Sequence, residues 1–291
     1  MSPASTDPGD MELRLLGTIQ LRAGQRDIDL GPPRQRAVVA ALAVDADVPI
    51  STDTLVARVW GASPPEQARS TLYVYLARLR TSLRAAGGKA LLTRSNGGYV
   101  LGLAPDLIDI HRYQALLARS REPEYPAAHQ ATLIEQAFRL WRGAPLAGMS
   151  GSWAAGVRER LTRQHLDATV RWAQIQLQLG NAELVVEPLR ELAAEHPLVE
   201  PVAVLLMKAL ARVGRSAEAL RHFAETRRRL ADELGLDPGA ELQHTHRAIL
   251  RGELEELEGP APAVAGARPE AVHVRPAQLP LDGYGFVGRA R

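Results

Sequence analysis

Between Glu66 and Leu103 a leucine-striped helix pattern runs through two glycines into a β-hairpin pattern, and few folds place those pieces in that order. Leu72, Leu76, Leu79 and Leu83 recur at intervals of four, three and four, which predicts one apolar stripe on a helix over about Glu66–Ala86. Gly87-Gly88 ends it. Residues Ala90–Leu103 then supply two β-prone runs joined by Asn96-Gly97, a strong hairpin signal. Upstream, Glu12–Leu30 alternates short apolar clusters about Ala23-Gly24-Gln25 and reads as a small antiparallel sheet, stopped by Gly31-Pro32-Pro33. Arg34–Val44 reads as an apolar helix, and a second helix, capped by Ser51 or Thr52, runs to Trp60-Gly61. Small sheet, three helices and terminal hairpin predict a winged helix-turn-helix over residues 11–103, preceded by a disordered leader at 1–10.

From Asp106 the pattern is helical throughout. Helices are expected over about Ile110–Arg121, Ala127–Trp141, Ser152–Leu179, Ala182–His196, Val199–Val213, Ser216–Leu234 and Pro238–Arg251. Leu179-Gly180 recurs as Val213-Gly214 and Leu189 as Phe223, a period of 34 residues that matches tetratricopeptide helix pairs. The fold class expected is therefore an α+β winged helix-turn-helix followed by an all-α tetratricopeptide-like repeat domain over 104–258. Residues 259–291 turn to Pro, Ala and Gly and read as a linker or tail.

The chain has 291 residues, more than one typical domain, and 46% apolar residues. No apolar run approaches the roughly 18–20 residues of a membrane span. The N-terminus lacks the basic-then-apolar pattern of a signal peptide, so a cytoplasmic location is expected. Absence of cysteine excludes disulfides, thiolate zinc sites and thiol nucleophiles. The net charge of +2 hides an asymmetry. Residues 11–103 carry 12 Lys and Arg against 7 Asp and Glu, whereas 104–258 carry 19 against 22. Between Glu66 and Arg94 six basic residues face one acidic residue, which suits a polyanion site and equally suits a solvated helix face.

A helix that reads the major groove buries one face in its own domain and offers small, polar and basic side chains on the other. Opposite the leucine stripe, at about 100° per residue, lie Ser70, Val74, Ala77, Arg78 and Thr81, the candidates for base edges. Arg78 is the leading one, since its fork fits the two acceptors of guanine. Arg69, Tyr73, Arg80 and Arg84 occupy one flank, where phosphates would pass. Thr71 and Tyr75 occupy the other, Thr71 counting with the base-edge set. The hairpin tip, with Arg94 and Asn96, would lie beside the adjacent minor groove. Leu92 and Tyr99 are expected in the hairpin core. Trp60 either donates its indole hydrogen to a phosphate or closes its helix as a buried tryptophan.

Other motifs carry no chemistry. Gly283-Tyr-Gly-Phe-Val-Gly288 matches G-x-G-x-x-G in letters, but a proline-rich stretch precedes it where the motif needs a strand, and cofactor binding is not expected there. Gly87-Gly88-Lys89 lacks the rest of a phosphate loop, and Gly148-Met-Ser150-Gly151 misplaces the second glycine of a nucleophile elbow. His244 and His246 face different ways on one helix, and His222 one turn after Glu218 reads as a surface pair. Arg227-Arg-Arg229, surrounded by Glu225, Asp232 and Glu233, reads as a solvated face. No catalytic, cofactor or metal residues are expected.

Arg69-Ser-Thr-Leu-Tyr-Val-Tyr-Leu-Ala-Arg-Leu-Arg80, followed by Gly98-Tyr99-Val-Leu, resembles the OmpR-type winged helix. Trp141-Arg-Gly-Ala-Pro-Leu146, Glu195-His-Pro-Leu198, Gly214-Arg-Ser-Ala-Glu-Ala-Leu220 and Ala231-Asp-Glu-Leu-Gly-Leu-Asp-Pro-Gly239 resemble the bacterial transcriptional activation domain. Together they are similar to the Streptomyces antibiotic regulatory proteins from Glu12 to Leu250. That resemblance implies an activator of a secondary-metabolite gene cluster in an actinomycete. It also implies binding of promoter duplex DNA as two monomers on direct repeats, and recruitment of RNA polymerase holoenzyme through its sigma factor. The wing departs from the OmpR pattern, with Ser95-Asn96 where Arg-Gly is common. Gln278–Arg289 looks like the entry to the ATPase domain of the larger, AfsR-like members. Two other readings use the same residues: a signalling adaptor whose basic winged helix docks an acidic protein, and an ATPase fragment, which the missing phosphate loop disfavours.

Overall fold

The computed structural model describes residues 11–85 and 91–253. The expected leader, Gly87-Gly88-Lys89 and the 259–291 tail lie outside them. Strands β1 (Met11–Arg14), β2 (Gln20–Ala23) and β3 (Arg26–Ile28) form an antiparallel sheet in that order. Ala23 pairs with Arg26 across Gly24-Gln25, where the positive φ of Gly24 makes the turn. Helix α1 (Pro33–Ala43) is buried almost all round, as its run of Ala, Val and Leu dictates. Helix α2 (Thr52–Trp60) is capped by Ser51, whose hydroxyl accepts from the Thr54 amide, so Ser51 and not Thr52 is the cap. Helix α3 (Ala68–Ala85) packs on both, and strands β4 (Leu92–Ser95) and β5 (Gly98–Leu101) close the domain as an antiparallel hairpin. This is a winged helix-turn-helix.

Seven helices follow: α4 (Asp109–Arg119), α5 (Ala127–Phe138), α6 (Ser152–Gln178), α7 (Ala182–Glu195), α8 (Glu200–Arg212), α9 (Ser216–Leu234) and α10 (Ala240–Arg251). All seven fall within a few residues of their expected bounds. The 34-residue period is visible in the backbone. After α6, Gly180 has φ +81° and Asn181 N donates to Gln176 O. After α8, Gly214 has φ +79° and Arg215 N donates to Leu210 O, the same left-handed helix ending moved by one repeat. Leu189 and Phe223, the other equivalent pair, are both buried. Arg212 of α8 also donates to Leu177 O at the end of α6, tying one pair to the next.

Residues on either side of 103/104 share one core. The buried carboxylate of Asp109, the first residue of α4, accepts from the Leu15 and Leu16 amides at 2.8 and 3.0 Å and pairs with Arg142 at 2.5 Å. Burial raises its pKa even against those donors. The loop between α5 and α6 adds Leu146 N→Leu15 O and Ala147 N→Gly17 O, which continue the β1 edge into the helical part. Arg58 of α2 lies over the Trp153 ring of α6 at 5.0 Å. The Gly148–Gly151 segment belongs to that same loop, with no strand before it.

Candidate nucleic-acid interface

The four leucines of α3 are at most 3% exposed, which fixes the rotation of the helix and turns the opposite face outward. Ser70, Val74, Ala77, Arg78 and Thr81 are all exposed on that face. Val74 keeps 47% of its surface and neighbouring Tyr73 46%. Ser70 Oγ donates to Gln67 O and Thr81 Oγ1 to Ala77 O, so each hydroxyl presents its oxygen as an acceptor. Arg78 and Arg84 meet no carboxylate among the described residues. Helix α3 holds four arginines and no acidic residue.

The flanks divide the remaining arginines. Arg69 pairs with Asp53 of α2, an exposed pair of little net strength that solvent or an anion can replace. Arg80 differs from its expected place at the phosphates. It is half-buried, donates from Nε to Leu92 O at 3.1 Å and lies over the Tyr99 ring at 5.6 Å, bracing α3 against the wing. Trp60 and Tyr75 stack at 6.3 Å with ring planes 6° apart, both partly buried, and Thr71 is half-covered beside them. The second reading of Trp60, as packing at the end of its helix, is therefore the one its surroundings favour.

In the wing, Leu92 and Tyr99 are buried, as expected. Tyr99 exchanges two backbone hydrogen bonds of 2.9 Å with Ile50, the residue before the α2 cap. That pairing explains Gly98. Its φ is +140°, and a Cβ there would strike the carbonyl of Ile50. The turn carries no positive φ at Asn96 or Gly97, so it is not the mirror-image form that Asn-Gly favours. The demand for a glycine has moved one residue on, to the contact with Ile50. Arg94 is paired across the hairpin with Tyr99 and lies 5.9 Å over its ring, leaving its exposed guanidinium beside Asn96 at the tip. Sequence reasoning placed Tyr99 in the hairpin core and missed its role as the platform for both Arg80 and Arg94. The signal was available for Arg94, since a two-residue turn sets residues 94 and 99 opposite each other.

Among the described residues, His222 and His246 do not form a rival site. Glu218 pairs with Arg215 and Arg190 and not with His222, while His246 stacks on Phe223 at 3.8 Å. No group of three or more His, Asp or Glu among the described residues is arranged to hold a metal ion. No helix among them is long and apolar enough to cross a membrane.

Comparison with known proteins falls on the same two parts. The family "Transcriptional regulatory protein, C terminal" matches residues 25–101, and the bacterial transcriptional activator domain matches residues 108–250. Regulatory protein AfsR of Streptomyces griseus is 36% identical over 290 residues, which is 99% of this chain and 29% of AfsR. The chain thus spans under a third of that relative. The transcriptional regulator RedD of Streptomyces coelicolor is 32% identical over 251 residues, 83% of this chain and 71% of RedD. The solved structure of Mycobacterium tuberculosis EmbR in complex with a low affinity phosphopeptide has a TM-score of 0.75 at 27% identity, covering 86% of this chain and 68% of that one. With both domains matched in order and RedD matched over most of its length, the chain belongs to the Streptomyces antibiotic regulatory protein family of transcriptional activators.

Proposed function

We propose that the chain binds promoter duplex DNA, with α3 in the major groove and the β4–β5 tip against the neighbouring minor groove, and activates transcription of a secondary-metabolite cluster. One observation carries this reading: the outward face of α3 is lined by Ser70, Val74, Ala77, Arg78 and Thr81, with Arg78 and Arg84 unopposed by carboxylates among the described residues. Small residues allow close approach, and a bidentate arginine discriminates guanine by about 1–3 kcal/mol. Two monomers on direct repeats about one helical turn apart would place successive α3 helices on the same side of the duplex. The helical part is the surface for RNA polymerase holoenzyme and its sigma factor, in keeping with its family and its repeat architecture. The protein would act in the cytoplasm, on the nucleoid. No catalytic, cofactor or metal role is assigned.

Mobility-shift titrations across a salt series test this. Binding through several arginines predicts a log–log slope of roughly −0.9 per phosphate neutralised. Absence of a shift on its own promoter DNA at low salt, with binding to an acidic protein instead, would replace DNA by a protein partner.

A further inference from the structure

Beside α3, on the side of Arg78 and Thr81, opens a cleft of about 370 Å³ whose other wall is the start of α1. Its donors converge from two elements. Helix α1 begins after Pro32, which has no side chain to cap it, so the amide of Gln35, a residue of the cleft wall, has no intrahelical acceptor. Gln35 is only 3% exposed, yet neither end of its amide has a partner among the described residues. Its Oε1 is closed off from solvent, and Nε2 is the end left to the cleft. Gly31, at φ +81°, makes this possible, because any Cβ there would sit on the Gln35 amide at 2.8 Å. Across the cleft, Ser82 and Arg78 contribute a hydroxyl and a guanidinium, both unengaged. The one carboxylate among the described residues lining it, Asp29, accepts from the Gly31 amide at 2.7 Å.

The charge distribution of α1 points the same way. Its first turn contains no acidic residue and carries Arg34, followed by Arg36, at the positive end of the helix dipole, where cations are unfavourable. A local conflict of that kind, with an orphaned buried amide beside it, is what a helix terminus built for an anion looks like.

We propose that this cleft holds a phosphodiester group of the DNA strand flanking the groove occupied by α3, bound by the Gln35 backbone amide and Nε2 and by Ser82 Oγ. The inference rests on the DNA-binding reading above. It adds a backbone anchor on α1 that fixes how deeply α3 sits. Arg78 forms the rim of the anchor and reaches past it to the bases.

The test uses the full chain and promoter duplexes in which single phosphates are replaced by uncharged methylphosphonates. Wild-type protein is expected to lose affinity about tenfold at one flanking position per bound monomer. Gln35→Met should lose about as much on unmodified DNA and nothing further at that position, while keeping its sensitivity at all others. Ser82→Ala, at a half-covered position, provides the same reading if Gln35→Met melts early. Equal, additive losses for wild type and both variants at every phosphate would overturn the proposal. So would competition by inorganic phosphate at matched ionic strength with no position-specific effect, which would make the cleft a site for free phosphate. No binding to any duplex by the wild type would instead sink the DNA-binding reading itself.

Discussion

Helices α3 and α9 are both amphipathic, of 18 and 19 residues, and each carries four arginines, yet one is strongly positive and the other balanced. In α9, Arg221 and Arg227-Arg-Arg229 share the helix with Glu218, Glu225, Asp232 and Glu233, so the net charge is zero. Its field fades within a few ångströms of the surface, since opposite charges at that spacing screen each other before salt does. In α3 no acid of the same helix opposes Arg69, Arg78, Arg80 and Arg84, and among the described residues the only carboxylate that meets one of them is Asp53 from α2. Arginine count alone therefore says nothing of partner. What separates a solvated face from a polyanion site is whether the same helix supplies the counter-charge.

A third setting, in which arginine and carboxylate meet inside the protein, should give the largest effect. Asp109 has no side-chain exposure and serves the Leu15 and Leu16 amides as well as Arg142. Asp109→Ala leaves two buried amides and a guanidinium without an acceptor, and is expected to cost about 3–5 kcal/mol in chemical denaturation. A loss under about 1 kcal/mol would mean that water replaces the carboxylate freely and that the clasp between β1 and α4 is weak. By contrast, removing Arg228 from the balanced surface of α9 should leave stability unchanged within about 0.5 kcal/mol.

Acidification probes the helical part by a different route. His165 of α6 is stacked on Trp141 at 4.3 Å and lies against Phe138 and Tyr113, and burial lowers its pKa from 6.5 to about 4. The unfolded chain thus binds the proton more readily than the folded one between those values. Stability contributed by the neutral ring is full above pH 6.5 and is lost as the pH falls toward 4, by roughly 3 kcal/mol in all. His165→Phe should flatten that part of the pH–stability curve. An unchanged slope between pH 6.5 and 4 in the variant would assign the acid sensitivity to other groups.

Much of this arrangement was legible in the sequence, because its signals are local. The leucine period set the rotation of α3 and so named the exposed face, the Asn-Gly pair set the hairpin register, and the 34-residue period set the equivalent turns at Gly180 and Gly214. What escaped depends on residues far apart in the chain or on which of two neighbours a long side chain prefers. Asp109 meets Leu15 and Leu16 across more than 90 residues, with no pattern to announce it. Arg80 lies on the flank the periodicity gave it, but its side chain bends back to Leu92 O and Tyr99, a choice made by packing. Gln35 looked like one more residue of an apolar helix, and only its burial without a partner marks it.

On the DNA side, the contrast between α3 and α9 is sharpened by Arg78→Ala beside Arg228→Ala. The first is expected to weaken binding to the native site by about 1–3 kcal/mol and to relax preference at one base pair, the second to do neither. Competition binding against single-base-pair variants of the operator measures both. Equal losses on native and random DNA for Arg78→Ala would move this residue from the base edges to the backbone.

The smallest effect should come from Arg84, in the last turn of α3, exposed and unopposed by any carboxylate among the described residues. In the proposed role, as a phosphate contact, it carries no sequence information, so Arg84→Ala should weaken all duplexes alike and reduce the slope of log affinity against log salt by about 1. Arg229→Ala, which removes the same charge from a helix that supplies its own carboxylates, should leave the slope as it was. If both substitutions lower the slope equally, the distinguishing feature is the charge of the whole chain and not the unopposed face of α3, and the contrast drawn between the two helices fails.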